Sequence, residues 1–298
     1  MLFQLKEKNK SQLKKNKENF EKIKQIISTV KYVAKNVVYV KKWSNKVERY
    51  KTSKYYPKEK KLNIDFSFGT YHVKIIRNNN PLMENVKKLR FKSFFDEIGP
   101  NKTDSDKFDE FCDHLVVIDK SVSEDFVVGT YRLLHKPKNE MVTSFYSQSE
   151  FDITNLLNKN ASLLEAGRSC VRKEYRDGRI IKLLWKALAT YIVTSKVEYI
   201  FGCASFPSSN HNKFLNQLSY LHHYHSPEKR LKTKPVKSLQ ANYKIIEKEN
   251  LKIDEEFRNL PPLIKAYLRV GAYVGNGAVI DKNFDTTDVL IILDTKKL

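Results

Sequence analysis

Over residues 163–206 the chain reads LLEAGRSCVRKEYRDGRIIKLLWKALATYIVTSKVEYIFGCASF, and its polar side chains have the types and spacing that group transfer needs. Glu165 and Arg168 sit in an otherwise apolar run. A carboxylate so placed can take a proton from an amine, directly or through a water. An α-amino group, with a free pKa near roughly 8, needs such an acceptor before its nitrogen can attack a carbonyl. The same two residues could equally form a structural ion pair, which also perturbs pKa values. Glu174-Tyr-Arg176-Asp-Gly178-Arg179 would set backbone N–H groups and two guanidiniums at a helix start, a site suited to a phosphate or pyrophosphate. A second polar region holds Arg90, Phe94, Asp104, Asp106, Asp109, Asp113 and His114. Its aspartates suit turns and caps, and its histidine is either a second proton acceptor or a packed side chain.

The elements that must position these residues follow from hydrophobic period. Ile180, Ile181, Leu184, Leu188 and Ile192 recur every three to four residues and predict a helix, followed by a buried strand at 199–204. Residues 71–77 read as a strand, 84–95 as a helix, and 114–118 with 126–134 as an antiparallel pair about the turn 119–125. A short helix is expected at 151–157, further helices at 210–220 and 255–270, and a closing strand at 289–293. Pro261-Pro262 must stand at a start or kink within the second of these helices. Strands mixed with helices make one α/β domain over 61–298 the economical reading, with 1–60 as a separate extension.

Composition bounds the partners. The 298 residues carry a net charge of +21, of which residues 1–60 supply +13 from 18 lysines and arginines against five glutamates. Phe20, Ile23, Ile27, Val30, Val33 and Val37 follow a helical period with lysines largely opposite. That predicts a basic amphipathic helix for an anionic membrane surface, unless the helix packs on the protein's own body. No nucleic-acid-reading motif accompanies the charge. Cys112, Cys170 and Cys203 share no close spacing, so neither a disulfide framework nor a thiolate zinc site is readable. Cys170 lacks a neighbouring histidine to activate it as a covalent acyl carrier. His222, His223 and His225 lack a fourth ligand, and no metal is expected. No membrane span or signal-peptide core is readable. The expected place is the cytoplasm, peripheral at the inner face of the cytoplasmic membrane.

Taken as words, Glu165-Ala-Gly-Arg168-Ser-Cys-Val171, Leu184-Trp185 and Phe201-Gly-Cys-Ala-Ser-Phe206 resemble the hemolysin-like branch of the GNAT acyltransferases that contains the ornithine-lipid N-acyltransferases. Arg90 with Phe94, then Asp106-Lys-Phe-Asp109 and Asp113-His114, is similar to the amine-acceptor half of that branch. Acyl-homoserine-lactone synthases share a related pattern of an arginine, an aromatic residue and paired aspartates. Gly129-Thr-Tyr-Arg132-Leu-Leu, the stretch 260–271 and the stretch 281–288 fit the same branch, so the likeness runs over about 90–293. It implies a GNAT mixed sheet flanked by helices, behind a basic helical extension.

It further implies transfer of a (3-hydroxy)acyl group from the phosphopantetheine thioester of an acyl carrier protein to the α-amine of L-ornithine, giving a lyso-ornithine lipid, with no cofactor resident. Glu165 would be the base, and Arg168 would orient it or pair with the substrate carboxylate. Arg90, Phe94, Asp106, Asp109, Asp113, His114 and Arg132 would line the acceptor site, the aspartates meeting ammonium groups. Val171, Arg176, Gly178 and Arg179 would serve the donor, with a strand N–H near Val171 on the thioester oxyanion. Arg179 and Ile181 stand where the common donor loop has small residues, which suits a single carrier-bound phosphate better than a coenzyme A pyrophosphate. The basic run Lys229, Arg230, Lys232, Lys234 and Lys237 could dock an acidic carrier or be a solvated loop. Alternatives are acylation of glycine, glutamine or a homoserine-lactone-type amine, and a non-catalytic basic membrane-binding module on the same scaffold.

Overall fold

Segments rich in β-branched and aromatic residues, such as DHLVVID, YIFGCASF and TTDVLIILD, favour a pleated, buried surface. They build the centre of the molecule. The computed structural model describes residues 64–95, 102–140 and 144–298; the extension 1–60 lies outside them. Nine strands form one sheet: β1 (Asp65–Phe68), β2 (Tyr71–Ile76), β3 (Asp113–Asp119), β4 (Val127–Lys136), β6 (Leu163–Val171), β7 (Tyr199–Phe206), β9 (Tyr273–Val274), β10 (Val279–Asp281) and β11 (Thr286–Asp294). Their order is β1-β2-β3-β4-β6-β7-β11-β10, with β9 also on β11. Neighbours are antiparallel except β6 and β7, which are parallel. β5 (Phe151–Asp152) and β8 (Lys234–Pro235) form a separate pair.

Helices cover both faces, which is why β3 is buried along its whole length. On one face α3 (Arg179–Thr194) packs with α6 (Pro262–Arg269) over Leu164, Ala166, Ile200, Ala204 and Ile291. The buried stripe of α3 is wider than the sequence period implied: Leu183, Trp185, Ala187 and Tyr191 join it, while Ile181 is only half-buried. Gly178, at φ +93°, makes the turn into this helix in a region L-residues avoid. On the opposite face, α1 (Met83–Phe95) lies over Val116, Ile118 and Val127, and the segment around Phe145 and Phe151 lies over Leu163, Phe201 and Leu290.

Three expectations need correction. The stretch 151–157 begins as β5 and is helical only in the single turn α2 (Thr154–Leu157). The stretch 255–270 is two helices, α5 (Ile253–Asn259) and α6. They break at Leu260-Pro261, with Pro262 at the first helical position, where a missing N–H costs nothing. The helix at 210–220 begins with a 3-10 turn and continues as α4 (Leu215–His225), so the histidines ride its last turn. His223 meets the Ile246 carbonyl at 2.8 Å and His225 the Tyr220 hydroxyl at 3.1 Å. Neither joins a ligand cluster among the described residues.

Candidate active site

The site is made by a parting of strands. β6 and β7 pair only at Leu163↔Tyr199, Leu164↔Ile200 and Glu165↔Phe201. Beyond Glu165 they diverge, and residues 166–169 and 202–205 become opposite walls of a cavity of about 620 Å³. Successive strand residues point to opposite faces of a sheet. Ile200 and Ala204 from one face, and Phe201, Cys203 and Ser205 from the other, all line the cavity, which therefore passes through the sheet. Its wall on the α6 side includes Tyr131, Ile200, Leu263, Tyr267 and Ile291; on the other side it includes Ser147, Glu165, Arg168, Asp281 and Asp288. Gly202 keeps the gap at this width, because a Cβ there would stand 2.2 Å from the Ala166 carbonyl oxygen.

Glu165 is buried on this polar wall and accepts two backbone hydrogen bonds, from the Tyr146 N–H at 3.0 Å and the Ser147 N–H at 2.7 Å. Burial raises its pKa above the ordinary glutamate value, and the two N–H groups pull against that rise without cancelling it. The alternative reading, a structural Glu165–Arg168 ion pair, is not what forms. Arg168 stands at a β-bulge, where residues 168 and 169 oppose only Tyr131, and its φ of +50° is paid for by the surrounding contacts. From there its guanidinium reaches Asp104 at 3.1 Å and Asp106 at 3.2 Å. The Tyr146 and Phe284 rings flank it at 4.8 and 4.7 Å.

Behind it lies a charge network. Arg90, fully buried, donates to Asp104 at 2.6 Å and to both oxygens of Asp109 at 2.7 and 3.1 Å. Arg132 donates to Asp106 at 2.6 Å and Asp109 at 3.2 Å. Burial alone would raise the Asp109 carboxyl, but Arg90 and Arg132 hold it well below the usual carboxylate range. Three arginines thus face three aspartates, and Asp106 also caps the turn that follows it. The aspartates expected to meet ammonium groups are already neutralised.

Of the residues singled out in the sequence, Phe94, Arg132, Glu165 and Arg168 line the cavity, while Arg90, Asp106 and Asp109 brace it from behind. Asp113 does not join them: it meets Arg77 at 2.8 Å and accepts from the Tyr191 hydroxyl at 2.9 Å. His114 is fully buried, touches the Asp109 carbonyl at 3.2 Å, and is pushed down to about 4 by burial, so it stays neutral near pH 7. Val171 is paired with Gly129 in the sheet rather than lining the gap, since the strands part six residues earlier. Arg176 donates to the Val171 carbonyl at 2.9 Å. Asp177 accepts the Arg179 N–H at 2.9 Å, so this helix start already holds a carboxylate. Burial pushes the Cys170 thiol up to about 12, which removes it as an acyl carrier at neutral pH.

Sequence reading did not assign Tyr146 or Ser147, whose N–H groups fix Glu165. Nor did it assign Phe284, which stacks on Phe95 at 5.1 Å and meets Phe94 edge-on at 5.9 Å. A third group was also missed. One oxygen each of Glu150, Asp281 and Asp288 lie within 4.8 Å of one another. Burial, then the Asp288 charge, raises Glu150 to about 7; burial raises Asp288 to about 6.

A divided α/β sheet with a cavity at the divergence and a buried carboxylate on its wall defines a GNAT-type acyltransferase, and residues 89–186 match the acetyltransferase (GNAT) domain family. Over 243 residues the chain is 36% identical to an L-ornithine N(alpha)-acyltransferase of Agrobacterium fabrum, covering 77% of this chain and 83% of that one. It is 38% identical over 226 residues to the Rhizobium meliloti protein of the same name, covering 72% and 76%. The chain belongs to the L-ornithine N(alpha)-acyltransferase family and is an N-acyltransferase. The solved acyl-homoserine-lactone synthase LasI aligns with 74% of this chain and 89% of its own at 14% identity, TM-score 0.41.

Proposed function

We propose that this chain moves an acyl group from a carrier-protein thioester to the α-amine of ornithine. The observation that carries the reading is the cavity through the sheet, apolar on one side, with Glu165 on its polar wall, in a chain of this family. The acyl chain lies among Tyr131, Ile200, Leu263, Tyr267 and Ile291, and the thioester carbonyl lies in the gap between β6 and β7. Glu165 takes a proton from the amine as its nitrogen bonds the carbonyl carbon. Negative charge moves onto the carbonyl oxygen and returns as the C–S bond breaks. The thiolate leaves on the carrier and takes up a proton, so the products are an amide and a free thiol. Arg168, held between two rings, meets the carboxylate of the amino acid.

A carrier protein fits better than coenzyme A as donor for two reasons. Asp177 occupies part of the helix start where a pyrophosphate would bind, and Lys229, Arg230, Lys232, Lys234 and Lys237 are exposed for an acidic partner. The test presents one acyl group on both donors to the purified full chain. Higher kcat/KM with the carrier thioester, falling as salt rises, supports the reading; preference for the coenzyme A thioester overturns it. The product is an amphiphile, and the +13 charge of residues 1–60 suits an anionic inner membrane face. Flotation of the full chain with anionic but not zwitterionic vesicles is expected. Equal behaviour with both would remove the membrane proposal.

A further inference from the structure

Ornithine brings two ammonium groups, and the acceptor cavity has to answer both. Asp106 and Asp109 cannot serve the second one, since Arg90, Arg132 and Arg168 already neutralise them. Glu150, Asp281 and Asp288 cluster elsewhere on this side of the sheet, and none of them forms a salt bridge with a lysine or arginine among the described residues. Both carboxylate oxygens of Glu150 are buried and without a hydrogen-bond partner, as is Oδ1 of Asp288, although the two side chains are only 3% and 5% exposed. The Cys203 thiol and Tyr146 hydroxyl favour Glu150's ionised form, but neither closes a hydrogen bond of good geometry. A buried acceptor left unmade costs about 1–3 kcal/mol, more when charged, so it marks a place that another group completes.

The cluster also stands in the right place. Asp288 pairs with Ser205 of β7, and Glu165 with Phe201. Ser205 and Phe201 are an even number of residues apart, so Asp288 and Glu165 project from the same face of the sheet. Ser147 joins the two groups: its N–H holds Glu165, and its hydroxyl accepts from Cys203 at 3.6 Å, next to Glu150. Asp281 and Asp288 line the same cavity as Glu165.

We infer that Glu150, Asp281 and Asp288 form the seat for the distal ammonium of a dibasic amino acid whose α-amine lies at Glu165. An alkylammonium has three N–H donors and no acceptor, which matches three convergent carboxylates. The inference rests on the proposed acyl transfer to ornithine, and it adds which residues distinguish ornithine from a monobasic amino acid.

The test pairs ornithine with norvaline, which has the same carbon chain and lacks the distal amine, on the full-length wild type, E150Q and D288N. The half-buried D281N serves if either buried variant fails to fold. Binding is measured by calorimetry and acylation by product mass. The wild type is expected to bind ornithine at least about thirtyfold more tightly than norvaline. The variants are expected to lose most of that preference, through an ornithine KM raised well beyond any change in the norvaline KM. Equal loss on both substrates would make the cluster structural and overturn the inference. So would a wild type that does not prefer ornithine in binding, or one whose activity requires a divalent cation held by these acids. A wild type that binds ornithine selectively but acylates neither amine sustains the seat and sinks the proposed reaction instead.

Discussion

At the scale of single residues, Glu165 combines two demands that pull against each other. Its two backbone hydrogen bonds fix it and favour the anion, while burial keeps it basic enough to accept a proton. Glu165→Gln keeps the shape but turns an amide N–H₂ toward one of two donors. The expected result is a loss of about 10²-fold or more in kcat with a folded protein, read by acylation rate and circular dichroism. Turnover like the wild type would remove Glu165 as the base. Glu150 makes a prediction in stability. Its carboxyl, raised to about 7 in the fold, faces Asp288, Asp281, Cys203 and Tyr146. A folded-state pKa above the unfolded one gives stability that is present at low pH and lost as pH rises through the folded value. Relative to E150Q, the wild type should therefore gain stability between pH 7 and pH 5 in urea unfolding. A constant difference between the two would mean that Glu150 titrates normally. The comparison with E150Q is needed because His114, His222 and His225, all lowered by burial, contribute the opposite slope.

At the scale of elements, the parting of β6 from β7 makes the site, and Gly202 sets how closely they run where it begins. Gly202→Ala drives a Cβ into the Ala166 carbonyl, and overpacking of this kind costs about 1–3 kcal/mol. A lowered Tm together with weaker donor binding is expected, and an unchanged Tm would show that the strands can simply move apart. The elements themselves were largely legible, because α3 carries an apolar helical stripe and β3, β4, β7 and β11 each contain a short apolar run. Where the period was mixed, the reading slipped. Phe151 looked helical but pairs with Pro235 across 84 positions of sequence, and Pro262 could be placed at a start or a kink but not chosen between them. Glu165 and Arg168 could be found because they are polar residues in an apolar strand. Tyr146, Ser147 and Glu150 gave no such signal, since they sit in a turn with no period and matter only through a distant strand. The aspartate–arginine network was visible as residue types, but not as a closed set of pairs. Spacing alone cannot tell a carboxylate that waits for a substrate from one already held by Arg90.

At the scale of the whole molecule, the sheet separates two chemistries and the cavity joins them. One face, under α3 and α6, presents the apolar wall suited to an acyl chain; the other carries Glu165, Arg168 and the second set of acids. Along the chain the charge is uneven, with +13 of the net +21 in residues 1–60 and an exposed basic run at 229–237. That distribution is what the proposed acidic carrier and the proposed membrane surface would call for. No helix among the described residues is long and apolar enough to cross one. The most direct measurement extracts lipids from cells expressing the full chain and searches by mass spectrometry for new N-acylated amino acids. An ornithine with one acyl group on its α-nitrogen, absent when Glu165→Gln replaces the wild type, is the predicted result. An acylated monobasic amino acid, or no new lipid from soluble folded protein with acyl donor present, would contradict the account.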